Sequence, residues 1–213
     1  MKKVIEQFCE IPDTVLIRRI LDGERELYEW IIRRYNQRLF RVGMSILGQH
    51  AETEDAMQNA YIKAYEHLAS FGNRSSFATW LTRIMLNECL AQKKRMQRFI
   101  GSMEKHTENS DQQATPAHAL MNKELSGVLE DAIAQLPEKY RLVFVLREIE
   151  EFSVKETCET LDLEESNVKV RLNRAKTMLK EQLNGYMKDH VYAFHLSRCD
   201  QMTSSVLARL EIS

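Results

Sequence analysis

Glycine and proline are scarce in this chain, at 7 and 3 of 213 residues, which argues against the turn-rich topologies of all-β proteins. Charge of one dominant sign is also lacking, since 30 Lys and Arg face 31 Asp and Glu for a formal net charge of -1. Such a chain should bind DNA weakly when free, and any contact with nucleic acid must come from local basic patches. Its four cysteines, Cys9, Cys89, Cys158 and Cys199, have no Cys-x-x-Cys spacing and read as reduced thiols. Nothing resembles a signal peptide, and no apolar run is long enough to span a bilayer. The expectation is a cytoplasmic chain without membrane insertion. Gly-x-x-x-x-Gly-Lys, His-Glu-x-x-His and Gly-x-Ser-x-Gly are all missing, and with them the phosphate cradle, the zinc pair and the nucleophile elbow. No catalytic site, cofactor or metal is therefore expected.

What is abundant is helical periodicity, and residues 166–180 carry the most informative instance. At about 100° per residue, Val168, Leu172, Ala175 and Leu179 stack on one narrow stripe. Ser166, Lys169, Val170, Asn173, Arg174 and Thr177 point the other way. That outward set combines cations, an amide and a small apolar group, the side chains that read base edges in a major groove. Upstream, Ser153-Val154-Lys155-Glu156 has the form of a capping box and predicts a helix start. Val154, Cys158 and Leu161 are expected to form the apolar side of that short helix. Asp162 then takes the turn position where glycine is usual, and Glu164 the N-cap of the reading helix. The two helices and their tight turn spell a helix-turn-helix.

The rest of the chain divides by composition. Residues 1–23 form an N-terminal segment. Within 24–98, apolar residues from Leu27 to Leu47 predict a long core helix ending near Gly48. Thr53 is expected to cap a second helix with Met57, Ala60, Tyr61, Ala64, Tyr65 and Leu68 inward. A third runs from Phe77 into the basic cluster Lys93, Lys94, Arg95 and Arg98. Residues 99–121, which contain Gly101, Ser102, Asn109, Ser110, Asp111, Gln112, Gln113 and Pro116 with little periodicity, read as a flexible linker. In 122–185, Pro137 fits the first position of a helix that leads into the helix-turn-helix, and Gly185 is expected to end the reading helix. Residues 186–213 are an extension in which Met202, Val206, Leu207 and Leu210 predict a short amphipathic helix. The fold class is all-α: two small helical domains joined by a linker.

Several motifs, taken in order, resemble the extracytoplasmic-function (ECF) sigma factors, which direct bacterial RNA polymerase to promoters. They are Asp55-Ala56-Met57-Gln58-Asn59-Ala60-Tyr61, then Ser75-Ser76-Phe77-Ala78-Thr79-Trp80-Leu81-Thr82-Arg83-Ile84 with Asn87, and Leu136-Pro137-Glu138-Lys139-Tyr140-Arg141. The resemblance covers most of the chain. It implies that Asp55, Gln58, Asn59 and Tyr61 dock on core RNA polymerase, at the β′ clamp helices, with the β subunit as a further partner. It implies also that Asn73, Arg74, Ser75 and Ser76 receive a flipped base of the promoter minus-ten element, while Arg83, Asn87, Lys93 and Lys94 follow nearby phosphates. The minus-thirty-five element falls to Ser166, Asn167, Lys169, Val170, Arg171, Asn173 and Arg174. An anti-sigma factor is a further implied partner.

Two other readings compete. An ordinary helix-turn-helix repressor would explain residues 122–183 and leave the first domain without a role. A helical metal sensor could use His190, His195 and Cys199, of which the last two lie one turn apart, although two close ligands do not make a site. A solvated helix surface is the simpler account of them. Phe77 and Trp80, likewise, are expected to be core anchors rather than stacking platforms for bases.

Overall fold

In a computed structural model the described residues are 11–100, 118–190 and 196–209, and no strand occurs among them. The first bundle contains α1 (Asp13–Leu21), α2 (Tyr28–Leu47), α3 (His50–Glu66) and α4 (Phe77–Ile100). Ile31, Tyr35, Leu39, Val42 and Ile46 recur every three or four residues along α2, and all are buried. That stripe lies against Ala56, Ala60 and Ala64 of α3 and Phe77, Leu81 and Met85 of α4, so small residues on α3 let a bulky stripe approach. Gly43 marks the closest point: a Cβ there would stand 2.6 Å from both Met85 Cε and Thr53 Cγ2. Gly48 ends α2 at φ +70°, its N–H bonded to the Met44 carbonyl, a left-handed cap that glycine adopts without steric cost.

The second bundle contains α5 (His118–Gln135), α6 (Glu138–Phe144), α7 (Val154–Leu161) and α8 (Glu165–His190). Ala132 and Leu136 pack with Ala175 and Leu179, joined by Tyr140, Phe144 and Met178 at the edge. After α6 the chain widens into a π turn over Val145–Ile149. The N–H of Glu150 reaches the Val145 carbonyl at 2.9 Å, that of Phe152 reaches Leu146 at 2.9 Å, and Glu151 takes φ +58°. This reversal returns Phe152 to the interior and turns Glu150 toward the first bundle. The capping box at α7 is complete: Ser153 Oγ accepts from the Glu156 N–H at 3.1 Å, and the Glu156 carboxylate accepts from the Ser153 N–H at 2.9 Å. Asp162 adopts the left-handed conformation at φ +52°, as its turn position requires. A last helix, α9 (Leu196–Arg209), leaves Met202, Val206 and Leu207 exposed.

The two bundles touch. Leu146 and Phe152 belong to the same buried cluster as the core of α1 to α4, with Leu142 and Leu161 packed against it.

Several local expectations need correction. Thr53 does not cap α3, which starts at His50; it is buried within the helix, its hydroxyl 3.5 Å from Met44 Sδ. Tyr65 faces out, because a 100° step places it beyond the alanine stripe. Pro137 is the N-cap of α6 rather than its first residue. Thr157 and Thr160 lie deeper than Val154 or Cys158 in α7, since their hydroxyls satisfy the Ser153 and Glu156 carbonyls and can be buried without cost. Gly185 does not stop α8, which runs on to His190. The segment before residue 24 is part of the first core: Leu16, Ile17 and Ile20 are buried there, and Asp13 accepts from Arg34 and from the Tyr35 hydroxyl, each at 2.5 Å. Most of the expected linker lies outside the described residues.

Candidate nucleic-acid interface

The reading helix is built as an amphipathic lever. Val168, Ala175 and Leu179 anchor α8 in the interior, while Ser166, Asn167, Lys169, Val170, Asn173 and Arg174 are exposed; Arg171 is half-buried. A carboxylate one turn earlier, Glu165, pairs with Lys169 at 2.5 Å. The hydrogen bond from Lys169, reinforced by its charge, holds the Glu165 carboxyl below the usual range. Lys176 pairs with Glu148 at 2.9 Å, so the outer cations are partly neutralised by local acids. Val170 stands 49% exposed among them, an apolar group that offers no hydrogen bond and suits a methyl. On the flank, Arg174 donates to the Tyr140 hydroxyl at 3.1 Å.

The residues expected at the minus-ten element collect at the start and along one side of α4. Asn73 and Arg74 are exposed at the loop tip, Asn73 in the left-handed conformation with φ +51°. Ser76 is the N-cap of α4, its Oγ accepting from the Thr79 N–H at 3.2 Å. Arg83, Asn87 and Lys94 are exposed, and Lys93 is half-buried. Phe71, Phe77 and Trp80 form a tilted ring cluster with centroids 5.3–5.5 Å apart. Phe77 is buried within it, the core anchor the spacing predicts.

The second bundle sits over this side. Glu156 of the capping box accepts a hydrogen bond from Ser76 Oγ at 3.0 Å, and Glu138 pairs with Lys93. Burial pushes the Glu156 carboxyl up, but the hydrogen bonds from the Ser153 N–H and the Ser153 and Ser76 hydroxyls outweigh it and hold the group below its ordinary value. Between the bundles a groove of about 430 Å³ is lined by Arg83, Asn87 and Leu90 on one side and Leu142, Leu161 and Arg171 on the other. The strongest tie is Glu150, whose side chain is 5% exposed. It accepts from Arg38 Nε at 2.9 Å and from Arg41 Nη1 at 3.0 Å, and the Arg38 guanidinium lies 5.2 Å from the Phe152 ring. Arg141 Nε donates to the Ser45 carbonyl at 2.7 Å.

Asp55 and Gln58 are exposed on α3, and Asn59 is half-buried. Tyr61 is not part of that surface. It is buried, donates to the Ile32 carbonyl at 3.1 Å and receives the Tyr28 hydroxyl on its own carbonyl at 2.7 Å; burial pushes its hydroxyl pKa far up. It ties α3 to α2 behind the exposed face that carries Asp55 and Gln58. Glu138, Tyr140, Glu150 and Glu156 escaped sequence reasoning as site residues. Glu156 was legible only as a cap, and no local pattern marks Glu150. Of the alternative metal site, His195 and the side chains of His190 and Cys199 lie outside the described residues; among the described ones no cluster of metal-ligating side chains occurs.

With this geometry in place, comparison with known proteins is specific. Residues 31–99 match the family described as Sigma-70 region 2, and residues 126–179 match Sigma-70, region 4. The chain is 31% identical over 176 residues to the ECF RNA polymerase sigma factor SigW of Bacillus subtilis (strain 168), covering 78% of this chain and 94% of that one. It is 26% identical over 187 residues to the ECF RNA polymerase sigma-E factor of Haemophilus influenzae, covering 84% and 98%. Among solved structures, CnrH in complex with the cytosolic domain of CnrY has a similar fold, with a TM-score of 0.59 at 22% identity over 81% of this chain and 97% of that one. The sigma factor RpoE in complex with the anti-sigma factor NepR from Bartonella quintana gives 0.64 at 20% identity, covering 74% and 96%.

Proposed function

Because the chain belongs to the ECF RNA polymerase sigma factors of the sigma-70 family, we propose that its two bundles divide promoter recognition between the faces described above. It is a transcription initiation factor that acts with core RNA polymerase at promoters and is not an enzyme. No described helix is long and apolar enough to cross a membrane, and a cytoplasmic place of action goes with that role. The minus-thirty-five element is read by α8, with Arg174 or Lys169 on guanine, Asn173 on adenine and Val170 against a thymine methyl. Ser166, Asn167 and Arg171 hold phosphates at its edges.

The minus-ten strand meets Asn73, Arg74, Ser75 and Ser76, with Arg83, Asn87, Lys93 and Lys94 along the backbone. Asp55, Gln58 and Asn59 offer polymerase a polar surface for arginine-rich clamp helices. An anti-sigma factor that binds this chain is part of the same reading, by analogy with the similar fold of RpoE, solved in complex with the anti-sigma factor NepR.

One observation carries the proposal: the six outward residues of α8 are exposed while Val168, Ala175 and Leu179 behind them are buried and Leu172 is half-buried. Closure of the bundles adds a condition. Lys93 and Ser76 are engaged by the second bundle, so their use at the minus-ten element requires those two contacts to be given up, and polymerase, gripping each bundle, supplies the energy to do so.

The decisive experiment adds the purified chain to bacterial core polymerase and maps transcripts from genomic promoter fragments. Start-site-specific transcripts that disappear on replacing Asp55 support the assignment. Tight duplex binding without polymerase, and no initiation with it, would instead make the protein a repressor.

A further inference from the structure

The minus-thirty-five face proposed above is confined to one helix, yet the structure gives it a second wall. Tyr140, in the first turn of α6, has two different ends. Its ring packs at the edge of the core cluster formed by Ala132, Leu136, Ala175 and Leu179. Its hydroxyl comes out beside α8, where it accepts the hydrogen bond from Arg174 Nη1 at 3.1 Å. Lys139 Nζ lies 5.0 Å from the centre of the same ring. Tyr140, Asn173, Arg174, Thr177 and Met178 line an open groove of about 410 Å³ on this flank. Two of those residues, Asn173 and Arg174, are base-reading candidates.

We propose that Tyr140 is a positioning residue for Arg174, fixing the direction from which the guanidinium enters the upstream promoter element. This rests on the reading that Arg174 contacts a base there. The physical argument starts from freedom: an exposed arginine samples many rotamers, and what it loses on binding depends on how far it is already ordered. A half-buried tyrosine ring packed against a core has less freedom than an exposed arginine, so a hydrogen bond to its hydroxyl passes some of that order to the tip of Arg174. The geometry leaves the arginine competent. Five N–H donors serve a guanidinium, and one spent on Tyr140 leaves enough for a two-pronged grip on the O6 and N7 atoms of guanine. The hydroxyl, while accepting, keeps its own hydrogen to offer a phosphate oxygen. The hydrogen bond from Arg174 and the charges of Lys139 and Arg174 also hold the Tyr140 pKa below its ordinary value, the electrostatic mark of a cationic pocket suited to an anion.

The test uses holoenzyme assembled from core polymerase and the full chain, presented with a promoter library randomised over the upstream element and sequenced after selection. Tyr140→Phe keeps the ring and removes only the hydroxyl, so heat unfolding should match the parent. The expected result is a loss of preference of about fivefold at the single base pair whose selection also vanishes in Arg174→Ala, with the other positions unchanged. In the double variant the Phe substitution should add nothing. Loss of selectivity in Arg174→Ala but full retention in Tyr140→Phe would overturn the positioning role alone, as would a uniform loss across all positions or an additive loss in the double variant. Retained selectivity in Arg174→Ala would remove the base contact itself, and the proposal with it.

Discussion

The two faces proposed to meet DNA stand in opposite conditions within the same chain. On α8 the reading side chains are exposed, and the contacts made to them come from their own bundle: Glu165 to Lys169 and Tyr140 to Arg174. Along α4 the corresponding residues are partly spoken for by the other bundle, Ser76 by Glu156 and Lys93 by Glu138. A duplex groove can be read by a preformed helix, whereas a flipped base needs a single strand that exists only after polymerase has begun to open the promoter. The free face is thus the one whose proposed ligand is always present, and the partly engaged face the one whose proposed ligand comes later.

The largest test of that contrast is to break the closure. Glu150→Ala removes the acceptor of two charge-assisted hydrogen bonds and should cost the bundle interface about 2–3 kcal/mol. Small-angle scattering of the free chain should show expansion, and amides near Ser76–Lys93 should exchange faster. An unchanged scattering profile would mean that Glu150 does not hold the bundles. Next comes Arg174→Ala, which should weaken upstream recognition by about 1–3 kcal/mol in binding assays with holoenzyme while leaving scattering of the free chain as it was. A change in both would mean that Arg174 also helps to hold the bundles together.

A smaller effect is expected from Ser153→Ala. Loss of the cap should destabilise α7 by about 1 kcal/mol, read by thermal unfolding, and should also loosen the Ser76 contact that Glu156 makes. The smallest is a pH effect. The Glu156 carboxyl is held below its ordinary 4.5 in the folded chain, so its stabilising contribution is complete above that value and is lost as pH falls through the lower folded value. Glu156→Gln should flatten this part of the acid unfolding curve. If parent and variant lose stability in parallel, the carboxylate is not what ties the cap to Ser76.

Local rules made much of this legible. Of the stripe that helical period predicts, Val168, Ala175 and Leu179 are buried and Leu172 half-buried, and Gly48, the Ser153 capping box and Asp162 follow from what helix ends demand. Tyr61 shows the two kinds of reading in conflict: helical spacing turns it inward, where it is buried, whereas the family resemblance carries it over to the docking surface along with Asp55 and Gln58. The role of α1 was missed although Leu16, Ile17 and Ile20 carry helical spacing; a short amphipathic segment does not declare which core receives it. Least legible was the closure. Glu150 and Arg38 are 112 residues apart in sequence, Glu150 sits in an acidic run that reads as solvated, and its burial results from the π turn that redirects the chain after α6.

The first turn of α6 ties these parts together. Glu138 is held by Lys93, Arg141 by the Ser45 carbonyl, and Tyr140, between them, holds Arg174. One helical turn therefore touches both the contact between the bundles and the side chain proposed to read the upstream element. Thermodynamic reciprocity then links the two equilibria: whatever DNA binding at α8 does to the opening constant, opening does by the same factor to the affinity of α8 for DNA.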